Sequence, residues 1–171
     1  MHAIFVMPLL DAESRVSDGD HPSVRLWLRL LTCTMMIERH VRARLRERFD
    51  ITLARFDLMA QLARAPKGLR MSDISRRLMV TGGNITGLTD QLVGEGLVAR
   101  REPPGDRRVY RVSLTAKGRR QFAAMVAEHD RWIVDVLTAV QGVERETLYH
   151  LLGGVKAALA HALEAHREPS R

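Results

Sequence analysis

Cysteine is nearly missing. With Cys33 alone among 171 residues, no disulfide can close within the chain and no zinc site can be built from several thiolates. One thiol suits a reducing compartment, so the expected location is cytoplasmic. Aromatic residues make up 5% of the chain, and with 12 Gly and 6 Pro that is poor material for an all-β sandwich. There is no apolar run of about eighteen residues, so no membrane-spanning helix is expected. The apolar start, residues 1–10, has no basic leading region and no small-residue cleavage site. It runs into Asp11 and Glu13, which speaks against a signal peptide. Also absent are a phosphate-binding loop, a Gly-x-Ser-x-Gly elbow, a His-Glu-x-x-His pair and a Cys-x-x-Cys pair. Gly82 and Gly83 alone do not make a nucleotide site. The 7 histidines are scattered. His161 and His166 are five apart in sequence, and Glu128, His129 and Asp130 are consecutive, so neither set presents ligands on one helix face. The chain therefore reads as neither an enzyme nor a metal or cofactor protein.

What is present is enough for a core: 46% apolar and 27% charged residues, with no composition break to divide the chain. The net charge is +7, and its placement is uneven. Between residues 67 and 120 there are 12 Lys or Arg against 5 Asp or Glu, leaving 15 of each sign in the rest. A neutral frame with a basic third suits a polyanion partner, because phosphate contacts release condensed counterions and supply sequence-independent affinity. The Arg-rich stretch 24–49 differs, since Arg39, Arg42, Arg44, Arg46 and Arg48 alternate there with Glu38 and Glu47 as on a solvated helix face.

Periodicity predicts a mainly α chain. Residues 1–20 show no sustained period and read as a loosely ordered tail. From Pro22, apolar Val24, Trp27, Leu28, Leu31, Met35 and Leu45 recur at helical spacing as far as Phe49 and Asp50. Thr52 can cap a second helix carrying Leu53, Phe56, Met59, Ala60 and Ala63, ended by Pro66 and Gly68. Ser72 can cap a short third helix over residues 73–79 with Ile74 and Leu78 inward. After a break at 80–83, Thr81 can cap a fourth bearing Ile85, Leu88, Leu92 and Val93, closed at Gly94 to Gly96. Residues 97–101 and 109–114 alternate as strands around the turn Pro103, Pro104, Gly105, Asp106. Thr115 can cap a fifth helix to about Val140, and a sixth covers about Glu144 to His166.

Two short helices joined by a tight turn form a helix-turn-helix, and a basic hairpin directly after it makes a winged helix. A helix fits the major groove, while extended guanidinium groups on a thin tip can enter the minor groove. The expected outward residues of the fourth helix are Gly82, Gly83, Asn84, Thr86, Gly87, Thr89, Asp90 and Gln91. Small residues let a backbone come close, and Asn84 and Gln91 can pair with an adenine edge. The same residues would equally serve as the wet side of an amphipathic helix.

The run from Ser72 to Gly118, SDISRRLMVTGGNITGLTDQLVGEGLVARREPPGDRRVYRVSLTAKG, resembles the MarR family of dimeric winged-helix transcriptional regulators. It has the short helix, the recognition helix, the Gly-Leu-Val strand opening, the Asp-x-Arg wing and the Leu-Thr-x-x-Gly exit in order. The resemblance implies a triangular homodimer with residues 21–50 and 116–167 as its helical dimerisation region and residues 51–115 as its winged helix-turn-helix. It further implies double-stranded DNA with a pseudo-palindromic operator as partner, and repression as the outcome, since blocking a promoter needs only occupancy. Asp106 and Arg108 match the wing motif, where Arg enters the minor groove and Asp orients it, and Arg107 would meet phosphate. Asn84, Thr86, Gly87 and Gln91 fall on DNA-facing positions, although several relatives carry a long basic side chain where Gly87 stands. Arg76 and Arg77 are candidate phosphate contacts.

In the family, small aromatic acids bind between the dimer helices and the winged helix. The matching wall here is Trp27, Leu31, Met35, Phe56 and Met59, with Arg25, His40 or Arg55 to pair an anionic group; ordinary core is the competing reading of the apolar members. The stretch 26–62 is also similar to a subgroup tied to aromatic acid catabolism, some of whose members respond to aromatic acyl-CoA thioesters. Cys33 has no cation beside it in sequence to stabilise a thiolate, so a buried structural thiol is expected, with a redox-responsive regulator as the alternative. A winged-helix protein-interaction module without DNA binding is the remaining rival.

Overall fold

Helix starts follow capping chemistry. Pro22, whose missing N–H and fixed φ suit a first turn, opens α1 (Pro22–Phe49), with the His21 side chain accepting from Ser23 N. The helix ends where Asp50 turns left-handed at φ 49°. Thr52 Oγ1 accepts from Arg55 N at 3.3 Å and begins α2 (Leu53–Ala63). The computed structural model describes residues 17, 19, 21–78, 82–101 and 110–165. The remaining elements are β1 (Leu69–Arg70), α3 (Met71–Leu78), α4 (Gly82–Gly94), β2 (Val98–Arg101), β3 (Arg111–Leu114), α5 (Ala116–Leu137) and α6 (Gly142–Ala165). Among the described residues there are six helices and a small antiparallel sheet, in keeping with the six helices and hairpin wing expected from sequence. Among the described residues no helix is long and apolar enough to cross a membrane.

The sheet has the order β1-β3-β2, with Val98 opposite Leu114 and Arg101 opposite Arg111 in the hairpin, and Leu69 opposite Val112 on the other edge. Strand β1 is absent from the sequence reading, because two residues are too few for a period. Gly68 makes it possible: its φ is +77°, and a Cβ there would lie 2.9 Å from Val112 O. Arg111 Nη1 then donates to Gly68 O at 3.1 Å.

The chain divides into two compact units, residues 1–132 and 133–171. The first holds a core of Val41 and Leu45 from α1, Leu58, Met59 and Leu62 from α2, Ile74 from α3, Ile85 and Leu92 from α4, Val98, Val112 and Leu114 from the sheet, and Met125 and Trp132 from α5. Phe56 lies between Phe122 at 5.4 Å and the His129 ring at 5.2 Å. In the second unit α6 leaves Val143 83% and Tyr149 72% exposed, with Leu148, Leu151, Leu159 and Leu163 also outward.

Four expectations need correction. Ser72 is not a cap but lies inside α3, which starts at Met71 straight out of β1. Gly82 and Gly83 belong to α4 and not to the break before it. Val24, Trp27 and Met35, expected inward, are exposed, Trp27 by 60%. Cys33, on the same helix, is exposed and not buried. The tail (apart from residues 17 and 19), Thr81, the turn at Pro103, Pro104 and Gly105, and His166 lie outside the described residues.

The start of α5 is packed against the entry to β2. Thr115 Oγ1 accepts from Gly118 N at 2.9 Å, as the capping expectation requires, and a Cβ on Gly118 would sit 1.9 Å from Leu97 O. Gly118→Ala is therefore expected to destabilise the protein by about 1–3 kcal/mol through forced displacement of backbone. Urea denaturation checks this, and an unchanged midpoint would contradict the packing.

Candidate nucleic-acid interface

Helix α4 contains few strong helix formers, with Gly82, Gly83, Gly87 and Gly94 among its 13 residues. Its placement comes from one buried face. Ile85 and Leu92 have no exposure. Neither does Thr89, whose hydroxyl donates to Ile85 O at 2.7 Å. Thr89 was expected to face outward; instead it is an anchor, with its hydroxyl satisfied within its own helix. The opposite face carries Asn84, Thr86, Gly87, Asp90 and Gln91, all exposed. Asn84, Gly87 and Gln91, spaced i, i+3 and i+7, share one stripe. Thr86 Oγ1 donates to Gly82 O at 3.0 Å, which leaves its oxygen free to accept. A Cβ on Gly87 would meet nothing within 4 Å, so glycine is not required there by packing. What it provides is a bare backbone open to close approach.

Around this face the structure sets several cations. Arg76 and Arg77 of α3 are exposed, and Arg76 pairs with Asp73 at 2.7 Å. On the wing, Arg100 reaches from β2 to Asp90 of α4 at 2.5 Å, tying hairpin and helix together. Asp106, Arg107 and Arg108 lie outside the described residues. The pairing of Arg100 with Asp90 escaped sequence reasoning, since partners ten residues apart on different elements carry no periodic signal.

The anticipated ligand wall is spread out. Arg25, Trp27 and Met35 are exposed on α1, with Leu31 and His40 half-buried. Phe56 and Met59 are core, Met59 without any exposure. Arg55 is not a free cation: it is 9% exposed and its Nη2 donates to Glu95 Oε2. A hollow of about 590 Å³ is lined by Glu47, Arg48, Phe49, Ala124, Ala127 and Glu128, none of which belongs to that wall. Between α1, α2 and α5, burial raises the Asp57 carboxyl above its ordinary value and the Glu38 charge adds to this, against Arg42 and His129.

A family profile described as MarR family matches residues 49–109. The chain is 30% identical over 116 residues to the HTH-type transcriptional regulator PecS of Dickeya dadantii, spanning 67% of this chain and 70% of that one. It is 28% identical over 106 residues to the uncharacterized HTH-type transcriptional regulator YdgJ of Bacillus subtilis, spanning 62% of this chain and 64% of the relative. Among solved structures it is similar to a MarR family transcriptional regulator from Silicibacter pomeroyi, with a TM-score of 0.70, 30% identity, and coverage of 84% of this chain and 99% of that one. Wild-type apo MarR from E. coli superimposes with a TM-score of 0.69 at 25% identity, covering 80% and 98% of the two chains.

Asp57 supplies a pH prediction. Its carboxyl binds its proton more tightly folded than unfolded, so stability falls as pH rises from the unfolded value of 3.8 through the raised folded value, and the penalty persists above it. Asp57→Asn is accordingly expected to raise the thermal midpoint at neutral pH, with the gain vanishing below the unfolded value. Calorimetry across pH checks it, and a destabilised variant at pH 7 would contradict it.

Proposed function

The chain belongs to the MarR family of transcriptional regulators, and from that premise we propose that it works as a homodimeric repressor. It would read a pseudo-palindromic operator through two copies of the α3–α4 unit. One observation carries this reading: α4 buries Ile85, Thr89 and Leu92 and thereby turns Asn84, Thr86, Gly87 and Gln91 outward on the most basic third of the chain. Asn84 and Gln91 take adenine edges, and Gly87 lets the helix backbone sit deep in the major groove. Arg76 and Arg77 hold phosphates. From the family resemblance, Arg108 enters the minor groove, oriented by Asp106, and Arg107 meets the backbone.

The exposed apolar residues of α1 and, separately, of α6 support a second copy as partner, since a two-fold axis that covers them also spaces two recognition helices. Release by a small aromatic acid or aromatic acyl-CoA rests on the resemblance, with Trp27, Leu31, Met35, Arg25 and His40 as accessible contacts. Coupling of about 1–3 kcal/mol suffices for release. Redox release through Cys33 is the second reading, favoured by the exposure of that thiol. Mild peroxide followed by mass spectrometry separates the two.

The testing experiment is anisotropy titration of a fluorescent duplex from the region upstream of the reading frame, against a scrambled duplex. Submicromolar, sequence-dependent binding in physiological salt is expected. A dimer neutralising about 8 phosphates gives a log–log salt slope of about −7, and Arg77→Ala should flatten it by about 1.8, one phosphate per half-site. A slope near zero, or equal affinity for both duplexes, would overturn sequence-specific DNA binding. Light scattering should report the mass of two chains, and a monomer would overturn the dimer.

A further inference from the structure

We propose that Glu95, at the exit of the recognition helix, is a positioning residue for operator recognition, gripped from two sides by Arg55 and Lys117. This rests on the DNA-binding reading above. Glu95 follows α4 directly, and its carboxylate accepts from the Arg55 guanidinium at the start of α2. Its backbone carbonyl accepts from Lys117 Nζ, in the first turn of α5, at 2.9 Å. The next two residues are fixed as well. Thr115 Oγ1 donates to Gly96 O at 2.7 Å, and Thr115 N donates to Leu97 O at 3.0 Å. Gly96 takes φ +70°, and Leu97 N closes back on Leu92 O at 2.9 Å.

The Arg55 pairing is unlike the surface ion pairs elsewhere on the chain. Arg55 is 9% exposed, and its Nε is buried without a hydrogen-bond partner. A guanidinium drawn that far out of water needs a carboxylate in one place, so Glu95 is held where Arg55 is. The Glu95 side chain keeps about half its exposure, which leaves the geometry of the pair, more than core packing, as its role.

The consequence is leverage. A helix of 13 residues is about 20 Å long, so a rotation of about 5° at its exit moves its entry by about 1.7 Å. Asn84 lies in the first turn at that entry, and Gly87, about midway along the helix, moves about half as far. Base-edge hydrogen bonds tolerate little such displacement, whereas phosphate contacts by exposed Arg side chains adapt to it. Loosening the Glu95 junction therefore removes sequence discrimination before it removes affinity for DNA. Because Lys117 and Thr115 start α5, a shift of that helix start is transmitted to the same turn.

The experiment uses the full-length protein and two fluorescent duplexes of equal length, one from the region upstream of its reading frame and one scrambled, at fixed salt. Glu95→Gln keeps the side-chain shape and removes the charge. It is expected to weaken binding to the upstream duplex by about tenfold, the scale of one lost base contact, while the scrambled duplex changes less than about twofold. Glu95→Asp, which keeps the carboxylate, should restore part of the ratio, and Lys117→Met should lower it by a smaller factor. Thermal midpoints are recorded alongside, since a merely structural role lowers the midpoint and moves both affinities together. Wild-type discrimination in both Glu95→Gln and Lys117→Met overturns the proposal, as does equal loss on both duplexes. If Glu95→Gln does not fold, the exposed Lys117→Met decides alone. A wild-type protein that cannot tell the duplexes apart overturns the DNA-binding reading and this role with it. Discrimination retained by wild type and variants alike removes only the role of Glu95.

Discussion

Burial of three residues, Ile85, Thr89 and Leu92, holds the recognition helix in place. A 13-residue helix with four glycines would not persist alone in water, where isolated helices shorter than about 12–15 residues are marginal even with good formers. Tertiary packing supplies what propensity lacks, against α2, α3 and the sheet. Once that face is inward, a repeat of about 3.6 residues per turn leaves Asn84, Gly87 and Gln91 outside in one stripe. That exposed stripe is thus a by-product of the core. Core substitutions under α4 and polar substitutions on it act through the same rigid body.

Charge is organised around that surface. On α1 four of the seven guanidinium groups have these acidic partners: Arg42 with Glu38, Arg44 with Glu47, Arg46 with Asp50, and Arg48 with Glu128 of α5. Such exposed pairs add little stability, a median of about 0–1 kcal/mol each, and they offset only part of the charge of a helix with seven Arg against two Glu. Summed over the sequence, the net surplus falls on residues 67–120, which include α3, α4 and the hairpin strands. Within it, Asp73 and Asp90 each hold one Arg, so the positive potential is shaped as well as concentrated. Asp90 also joins β2 of the hairpin to the helix beside it through Arg100.

The two ends of α4 are held differently. Its exit is clamped by Arg55, Lys117 and Thr115, while its entry residues Gly82 and Gly83 would meet nothing within 4 Å if they carried a Cβ. The clamp also links α4 to α2 and to the beginning of α5.

Much of this was legible in the residues. The caps at Pro22, Thr52 and Thr115, the six helices, the hairpin strands and the outward stripe of α4 follow from local propensity and period, which act within a few residues. Strand β1 was not legible, because two residues carry no period and its existence depends on Gly68 passing under Val112. Thr89 looked like surface because a hydroxyl bonded to its own helix has no signature in composition. Trp27, Met35 and Cys33 looked like core because helical spacing marks an apolar stripe without saying whether the same chain covers it. The pairs Arg55–Glu95 and Arg100–Asp90 join residues 40 and 10 apart in the chain. The amino-acid sequence by itself determined where α1, α2 and α5 begin, at Pro22 and after Thr52 and Thr115, and which third of the chain is cationic. The tertiary structure decided which polar groups are consumed inside and how the reading helix is aimed, because those depend on distances between elements that no local pattern encodes.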